Sequence, residues 1–338
     1  MRKFGIALAL LLLVGLGAAS VGVYYCVFAP TARFNPPRIV TIEKGESLRE
    51  AAHALAHRGV VRSSIAFLIY AEMAGKAALV KPGDYAFKGG ETVADVLRHL
   101  VNGDFMAVTV TVTEGMTVHQ IGEKLEAARL VCDNQFDRAA QHGPLVEALG
   151  LGPLGAEGFL FPATYRFSPR ASTNQILAAM IGRFFANLTP ATEQRMFALG
   201  LSVRETVTLA SIVEKEAKVA GERQLIASVF YNRLALGMPL QSDPTAQYNP
   251  SGESRRALAA VRTPSPFNTY DFSGLPPGPI ANPGLPSIEA ALYPAHTDYL
   301  YFVARKNGTH IFSRTFKEHE RAIAQLKKMA AKSNLPDG

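Results

Sequence analysis

The chain has 338 residues, 48% of them hydrophobic, which is enough to fill the cores of about two domains and excludes a disordered tail. Its two cysteines, Cys26 and Cys132, exclude a disulfide framework, and because no zinc-type Cys/His spacing occurs we expect no metal and no other cofactor. The formal net charge of +7 arises from basic residues interspersed with acidic ones. This pattern is weak evidence that the protein binds an anionic surface or polymer, and it does not indicate binding to a nucleic acid.

The first predicted element is an apolar stretch over residues 4–29 that contains no charged residue. As a helix it reaches about 39 Å, which exceeds the ~30 Å of a hydrocarbon core. We therefore predict a cytoplasmic tip and a single transmembrane anchor over residues 1–29, with Arg2 and Lys3 holding the N-terminus in the cytoplasm. The small residues at 17–20 leave a cleaved signal peptide as the alternative.

Residues 30–37 form a predicted linker to a small module over residues 38–106, which opens with a strand, a turn and a helix. Residues 41–48 align without a gap with residues 111–118, and a fainter third copy starts at Gly90. Modules of this size and pattern resemble the LysM family of glycan-binding domains. Residues 107–135 are a candidate second element of this kind at the start of a larger domain, 107–338. The alternative is unrelated strand-to-helix turns that both need a glycine and a Ser/Thr cap.

The larger domain is predicted to be a mixture of helices with a C-terminal hairpin. Residues 173–188 have the apolar spacing of an amphipathic helix, and Thr189 followed by Pro190 is typical of the start of the next. Strands at 299–304 and 310–313 flank an Asn-Gly turn, and Thr315 with Glu318 predicts a capping box for a last helix. The predicted fold class is therefore α+β.

One helix carries the strongest candidate for chemistry. Ser202 and Glu205 predict its capping box and fix its register, so that Glu216 prolongs an apolar stripe while Glu214 faces about 200° away. A carboxyl at the edge of an apolar face is partly desolvated, which raises its pKa and suits a general acid. The alternative is that Glu216 lies at a frayed helix end, solvated or paired with Arg223.

Two further segments have the composition of cleft walls. Polar side chains follow a predicted helix end at Gly237, and a proline-rich and glycine-rich stretch covers residues 263–287. We interpret the second as a rigid wall, with a stiff surface loop as the alternative. No phosphate-binding loop, GxSxG elbow or helical His pair is present in the sequence, and His296, His310 and His319 are interpreted as structural or surface residues.

Several segments, in order, carry a family resemblance. They are EGFLFPATY at 157–165, ASIVEKE at 210–216, LQSDPT at 240–245, SPFNTY at 265–270 and GLPPGPIANPG at 274–284. With these segments the chain resembles the YceG-like family of endolytic murein transglycosylases. The resemblance runs from the apolar N-terminus to the C-terminal hairpin.

The resemblance implies a bacterial inner-membrane protein, with its N-terminus in the cytoplasm and an α+β catalytic domain behind a LysM-like module in the periplasm. Its implied substrate is peptidoglycan, whose nascent glycan strands it cuts to end their elongation, and its implied partners are peptidoglycan synthases (penicillin-binding proteins). Glu216 maps onto the catalytic glutamate of the family. In the family, that residue protonates the oxygen that links N-acetylmuramic acid to N-acetylglucosamine. Cleavage then leaves a 1,6-anhydro end on the muramic sugar.

The remaining polar residues of the matching segments are hypothesised to line the cleft and to hold sugar hydroxyl and N-acetyl groups; they are Gln241, Asp243, Thr245, Tyr248, Asn268 and Asn282. Glu157 either orients Glu216 or caps a turn. Two other functions stay open at this point. One is a hydrolase in which Glu157 or Asp243 activates a water. The other is a binding scaffold without activity.

Overall fold

The computed structural model describes residues 21–22, 24–250, 252 and 257–333. They divide into two compact units: unit 1 comprises the described residues up to Val108 together with Arg166–Arg170, and unit 2 the rest. Both contain helices and short strands, so the mixed α+β class is confirmed. Most of the predicted anchor, residues 1–20 and 23, lies outside the described residues. Within the described part no single helix is long and apolar enough to cross a membrane. The helices Pro190–Leu199 and Val203–Glu216 reach the necessary length and apolar composition only when taken together, and they are bent by 90° relative to each other.

Unit 1 is a three-helix layer on a two-stranded sheet. The first strand pairs antiparallel with the second, so that Arg38 lies opposite Phe87 and Ile42 opposite Gly83. Leu55, Phe67 and Tyr85 are almost completely buried in the core that fills the space between the layers. The elements are β1 Arg38–Ile42, α1 Leu48–His57, α2 Ser64–Met73, a 3-10 turn at Ala77–Leu79, β2 Gly83–Phe87 and α3 Val93–Asn102.

Unit 2 is mostly helical and contains short strands. The elements that begin the larger domain are β3 Val108–Val112, α4 Val118–Ala127, α5 Gln135–His142, α6 Pro144–Ala148, β4 Ala163–Phe167 and α7 Thr173–Ala186. Those that follow are α8 Pro190–Leu199, α9 Val203–Glu216, a 3-10 turn at Ala220–Glu222, α10 Arg223–Ala235, α11 Asp243–Gln247, α12 Ala257–Ala260, α13 Leu285–Leu292, β5 Tyr301–Ala304, β6 His310–Ser313 and α14 Phe316–Ser333. Strand β3 pairs with β4, and β5 with β6.

The strand, turn and helix predicted twice from the sequence are present in both copies. Helices α1 and α4 each have ten residues, and their N-caps, Ser47 and Thr117, both form capping boxes. In the turns before them Gly45 and Gly115 have φ of +88° and +76°, a left-handed conformation that a residue with a Cβ rarely adopts. The third, fainter copy also leads into a capped helix, because Thr92 and Asp95 form a capping box on α3.

Helix α9 is the central element of unit 2. It begins at the predicted Ser202–Glu205 capping box, and every residue from 206 to 213 is buried. It packs against α10 and α13, and the irregular backbone at 278–284 is buried beside it. Residues 278–284 are therefore buried interior backbone rather than a surface loop. The predicted C-terminal hairpin and the Thr315–Glu318 cap are confirmed.

Candidate active site

A cavity of about 420 Å³ lies in unit 2 where the last residue of α9 meets the C-terminal hairpin. Its walls come from the ends of α9 and α10, the segment that precedes α11, Tyr270, both hairpin strands and the start of α14. Two carboxylates, Glu216 and Asp243, and the side chain of Gln241 face it. The site therefore combines acidic groups with an aromatic wall, a composition suited to a neutral, hydroxyl-rich ligand.

Glu216 lies at the C-terminal end of α9 with its side chain partly buried in the cavity wall. The Ser242 hydroxyl donates a 2.6 Å hydrogen bond to its Oε1. Burial raises the pKa of Glu216 above its usual value and the negative charge of Asp243 adds to the rise, while the Ser242 hydrogen bond opposes it. Because desolvation dominates, this carboxyl retains a proton at higher pH than an exposed glutamate does.

Glu214 faces a different region, as the helical spacing predicted. Its Oε2 accepts hydrogen bonds from the Ser287 hydroxyl at 2.7 Å and from the Gly284 N–H at 3.1 Å. Arg223 lies 3.5 Å from Glu214 and 3.8 Å from Glu114, so the alternative pairing of Arg223 with Glu216 is wrong. The two glutamates are separate in role: Glu214 holds the start of α13, and Glu216 faces the cavity.

Asp243 and Gln241 are the two predicted binding residues that the structure brings to the cavity with Glu216. Asp243 Oδ1 accepts a 2.6 Å hydrogen bond from the Tyr270 hydroxyl. Gln241 has a φ of +51°, an unusual backbone conformation for a residue with a side chain, and its Oε1 accepts from Arg233 at 3.1 Å. Strained positions of this kind are frequent at ligand sites.

Arg233 is a buried residue of the cavity wall that the sequence reasoning did not identify. Its guanidinium donates to the carbonyl oxygens of Leu300 at 2.7 Å, Pro239 at 3.0 Å and Leu240 at 3.0 Å. It thereby ties the hairpin to the segment that carries Gln241, Ser242 and Asp243. The guanidinium carries five N–H donors in a fixed plane, whereas a lysine ammonium has three at a single atom, so arginine is better suited to bridging these separate carbonyl oxygens.

Four of the residues predicted to line the cleft do not line it. Thr245, Asn268 and Asn282 are completely buried and Tyr248 is 7% exposed, so a sugar cannot reach them in this conformation. Thr245 Oγ1 instead donates to the Ser242 carbonyl at 2.6 Å, and Asn268 Nδ2 to the Val261 carbonyl at 3.1 Å. Both side chains satisfy backbone carbonyl groups of irregular segments. Buried backbone and a bound ligand both need polar partners, so the same residue types serve either role.

Glu157 is also buried, and it caps a helix rather than orienting Glu216. Its oxygens accept from the Val118 N–H at 3.1 and 3.2 Å, the Tyr248 hydroxyl at 3.0 Å and Asn282 Nδ2 at 3.0 Å. Burial raises the pKa of Glu157 to about 7 even though the hydrogen bonds from Val118 and Tyr248 oppose the rise. Of the two roles hypothesised for Glu157, the structure supports the cap.

Part of the cavity wall is aromatic. The ring of Tyr301 lies 5.3 Å from that of His319 and 5.8 Å from that of Phe316. Nδ1 of His319 is buried and has no hydrogen-bond partner among the described residues. From the sequence, His319 and His310 are expected to be structural or surface residues. His310 is indeed held by Glu222 at 2.7 Å, yet both rings line the cavity.

Among the described residues, no group of three or more His, Cys, Asp or Glu side chains is placed to hold a metal ion. What the arrangement can do chemically rests on its carboxyl groups. A partly desolvated carboxyl beside an aromatic wall is suited to protonating a glycosidic oxygen.

Comparisons with known proteins place the chain among relatives. The model of the YceG-like family matches residues 40–325. A Bacillus subtilis protein named endolytic murein transglycosylase is 35% identical over 305 residues, which cover 84% of this chain and 83% of the relative. A Streptococcus pneumoniae protein of the same name is 30% identical over 326 residues, and there the match spans 59% of the relative.

A crystal structure of a yceG-like protein from Listeria monocytogenes has a TM-score of 0.59 and 31% identity; the match covers 86% of this chain and 100% of that one. This likeness extends to the fold over most of the chain. The length of the family match and the identity to the Bacillus subtilis relative lead to the same conclusion: the chain belongs to the YceG-like family.

Proposed function

We propose that this protein is a lytic transglycosylase that cuts peptidoglycan glycan strands internally, between N-acetylmuramic acid and N-acetylglucosamine. One observation carries the proposal: Glu216, with its raised pKa and its Ser242 hydrogen bond, faces a cavity with an aromatic wall. The family and the names of the relatives in Bacillus subtilis and Streptococcus pneumoniae supply the substrate class.

The proposed reaction uses Glu216 first as an acid and then as a base. Protonated Glu216 gives its proton to the oxygen that links the two sugars, and the bond from that oxygen to the muramic anomeric carbon breaks. The muramic 6-hydroxyl forms a new bond to the same carbon and transfers its proton to the Glu216 carboxylate. The products are a free N-acetylglucosamine 4-hydroxyl and a 1,6-anhydro end. No water is consumed, so a second carboxylate is not required.

A hydrolase is the second candidate, and Asp243 is the observation that favours it. Asp243 faces the same cavity as Glu216 and is held by the Tyr270 hydroxyl, so its carboxylate could activate a water there. Glu157 no longer qualifies for this role, because it is buried and its oxygens serve Val118, Tyr248 and Asn282. The chemical nature of the new end separates hydrolysis from transglycosylation.

The proposal extends to where the enzyme works. Residues 4–29 would anchor it in the bacterial inner membrane with the N-terminus in the cytoplasm, because this stretch carries no charge and follows Arg2 and Lys3. A LysM-like module at 38–106 would hold glycan outside, and the domain at 107–338 would cut it. The repeated, capped strand–turn–helix supports a modular origin for the first part. Synthases in the same membrane are the proposed protein partners.

The test is digestion of purified, uncrosslinked glycan strands by the full-length protein, with the new ends analysed by mass spectrometry. We expect internal cuts whose ends are lighter by one water than hydrolysed ends. Glu216→Gln should reduce cleavage by about 10²-fold or more, the contribution of a positioned general acid. Glu193→Gln, at an exposed position on α8, is the matched control and should cleave normally.

Each other outcome identifies an alternative. Hydrolysed ends that disappear in Glu216→Gln would replace transglycosylation with hydrolysis and direct attention to Asp243. Equal glycan binding by the wild-type protein and Glu216→Gln, with no cleavage by either, would favour the non-catalytic scaffold.

A further inference from the structure

Helix α2 in unit 1 exposes an apolar face. Ile65, Ile69 and Met73 are 67%, 55% and 83% exposed, and their four-residue spacing places them along one side of the helix. The opposite side is occupied by Phe67 and Ala71, which are completely buried in the core. A surface helix normally turns polar residues outward, so an apolar stripe on the outer face indicates a contact with something that excludes water.

The stripe lies beside the N-terminal chain that enters unit 1. A groove of about 730 Å³ separates them, and Val27 and Phe28 on one side face Ile65, Ile69 and Met73 on the other. Its lining is almost entirely apolar, and Tyr24, Tyr25 and Phe28 are more than half exposed next to it. The exposed apolar residues of unit 1 are thus concentrated around the point where the N-terminal apolar stretch ends.

Arg62 fixes the end of that stretch to unit 1. Its guanidinium donates to the carbonyl oxygens of Tyr25, Ala29 and Pro30 and lies 4.3 Å from the centre of the Tyr25 ring. These carbonyls lie at and just beyond the end of a helical segment, where no further turn can satisfy them. The direction of the N-terminal segment relative to α2 is therefore set by hydrogen bonds within unit 1.

The predicted linker is held in the same way. Thr31 N–H donates to the Glu91 carbonyl at 3.0 Å, and Phe34 N–H to the Lys88 carbonyl at 2.7 Å. The chain between the anchor and β1 is consequently packed on unit 1 along residues 31–34. A chain packed in this way cannot separate unit 1 from the membrane as a free tether would.

We propose that the outer face of α2 docks on the lipid bilayer at the boundary between headgroups and acyl chains, in the membrane that residues 4–29 cross. This inference rests on the proposed anchor. An uncharged stretch long enough to span a bilayer ends in the groove, and the Arg62 clamp keeps α2 beside that end. Apolar side chains at this level are buried about 5–10 Å into the interface, with Tyr24 and Tyr25 in the aromatic belt.

The charged residues nearby agree with this depth. Glu72 is the only charged residue of α2, and it is exposed at the edge of the stripe, where its carboxylate can remain among the headgroups. Arg62 and Lys76 are exposed at the two ends of the helix. Both can contact anionic lipid phosphates while the apolar face enters the acyl region.

The sequence offers a direct test because the chain contains no tryptophan. Ile69→Trp in the full-length protein gives a single fluorophore on the stripe, and Met73→Trp a second position on the same face. Each variant would be reconstituted in vesicles of phosphatidylethanolamine and phosphatidylglycerol, with and without bromine on the acyl chains. Arg49→Trp, at an exposed position of α1 that does not line the groove, is the matched control.

We expect blue-shifted emission from Ile69→Trp and Met73→Trp and a loss of that emission in brominated vesicles, with neither change for Arg49→Trp. Emission from Ile69→Trp and Met73→Trp that matches the control would overturn the proposal. A blue shift that bromine does not quench, and that fades as the protein is diluted in lipid, would assign the stripe to a second copy of this chain and also overturn it.

Flotation of the same vesicles after alkaline extraction tests the proposed membrane anchor separately from the docking of α2. A protein that floats with unquenched tryptophans retains the anchor and loses only the docking of α2. A protein that does not float overturns both. The glycan-cleavage assay reports on the catalytic proposal independently of either result.

Discussion

The Ser242 hydroxyl donates a 2.6 Å hydrogen bond to Oε1 of Glu216 at the edge of the cavity. Ser242 is 2% exposed, and its own backbone N–H is held by the Thr269 hydroxyl at 3.2 Å, so the donor is fixed before a substrate arrives. The contact favours the ionised form of Glu216, while burial favours the protonated form. It also restrains the orientation of the Glu216 carboxyl group.

Ser242→Ala should therefore alter both the pH profile and the rate. The hydrogen bond lowers the pKa of Glu216, so its loss should raise that pKa further. An acid must be protonated to act, which means that the alkaline limb of the kcat profile should move to higher pH. The rate at the optimum should fall about tenfold, since one hydrogen bond of about 1.5 kcal/mol no longer positions the acid.

Ser242→Thr is the matched control, because it retains the hydroxyl at the same position. We expect its alkaline limb to coincide with that of the wild-type protein in the same glycan-cleavage assay. An alkaline limb that moves to lower pH in Ser242→Ala would contradict this account of the Glu216 environment.

Local patterns predicted the elements that surround the site. The predicted capping boxes at Ser202 and Thr315 each start a helix where the sequence indicated, because a cap and its partner are only three residues apart. The register of α9 then separated Glu216 from Glu214 correctly. These predictions depended on spacing within one element, which is information that a single sequence contains.

Local spacing did not predict which side chains line the cavity. Arg233, Tyr301 and His319 come from three elements that meet only through the fold, and their sequence context is that of ordinary helix and hairpin residues. Conversely, Thr245 and Asn268 stand in polar motifs but satisfy buried backbone. Sequence pattern alone cannot separate a polar side chain that binds a ligand from one that supports a loop.

Tyr301→Ala should weaken substrate binding. Its ring contributes to the aromatic wall beside His319 and Phe316, and removal of one buried aromatic contact of about 1.4 kcal/mol raises KM about tenfold. Because Tyr301 is not the proton donor of the proposed reaction, kcat should change much less. Tyr301→Phe retains the ring and should restore KM, and Tyr293→Ala, a half-exposed tyrosine outside the cavity, should have no effect. A fall in kcat with unchanged KM would contradict a binding role for this wall.

Glu157→Gln should change how stability depends on pH. The pKa of Glu157 is about 7 in the folded protein against an ordinary value of 4.5, so between these values the unfolded chain releases a proton that the folded chain retains. Stability therefore falls as pH rises through this window, by up to about 3 kcal/mol, and changes no further above it. Gln is neutral throughout and can retain the contacts with Val118 and Tyr248.

Urea unfolding at about pH 5 and about pH 8 measures the effect as a difference between the two proteins, in which the titration of all other groups cancels. We expect Glu157→Gln to gain stability relative to wild type as pH rises. A difference that does not vary with pH, or that moves in favour of wild type, would show that the buried Glu157 carboxylate is stabilised in the fold rather than strained.

Gly158→Ala should destabilise unit 2 by more than the strained backbone conformation of the new alanine accounts for. Gly158 has a φ of +88°, and a Cβ there would lie 2.5 Å from Pro279 and 2.7 Å from Val207. Gly200 has a φ of +68° with nothing within 4 Å, so Gly200→Ala has the backbone penalty of about 1–2 kcal/mol without the collision. Overpacking of this size costs about a further 1–3 kcal/mol. The difference between the two alanine variants in urea unfolding measures how rigidly the buried wall at 278–284 is held against α9. Equal losses of unfolding free energy in the two variants would mean that residues 278–284 shift to accommodate the new methyl group. The proline-rich stretch would then be less rigid than its burial indicates.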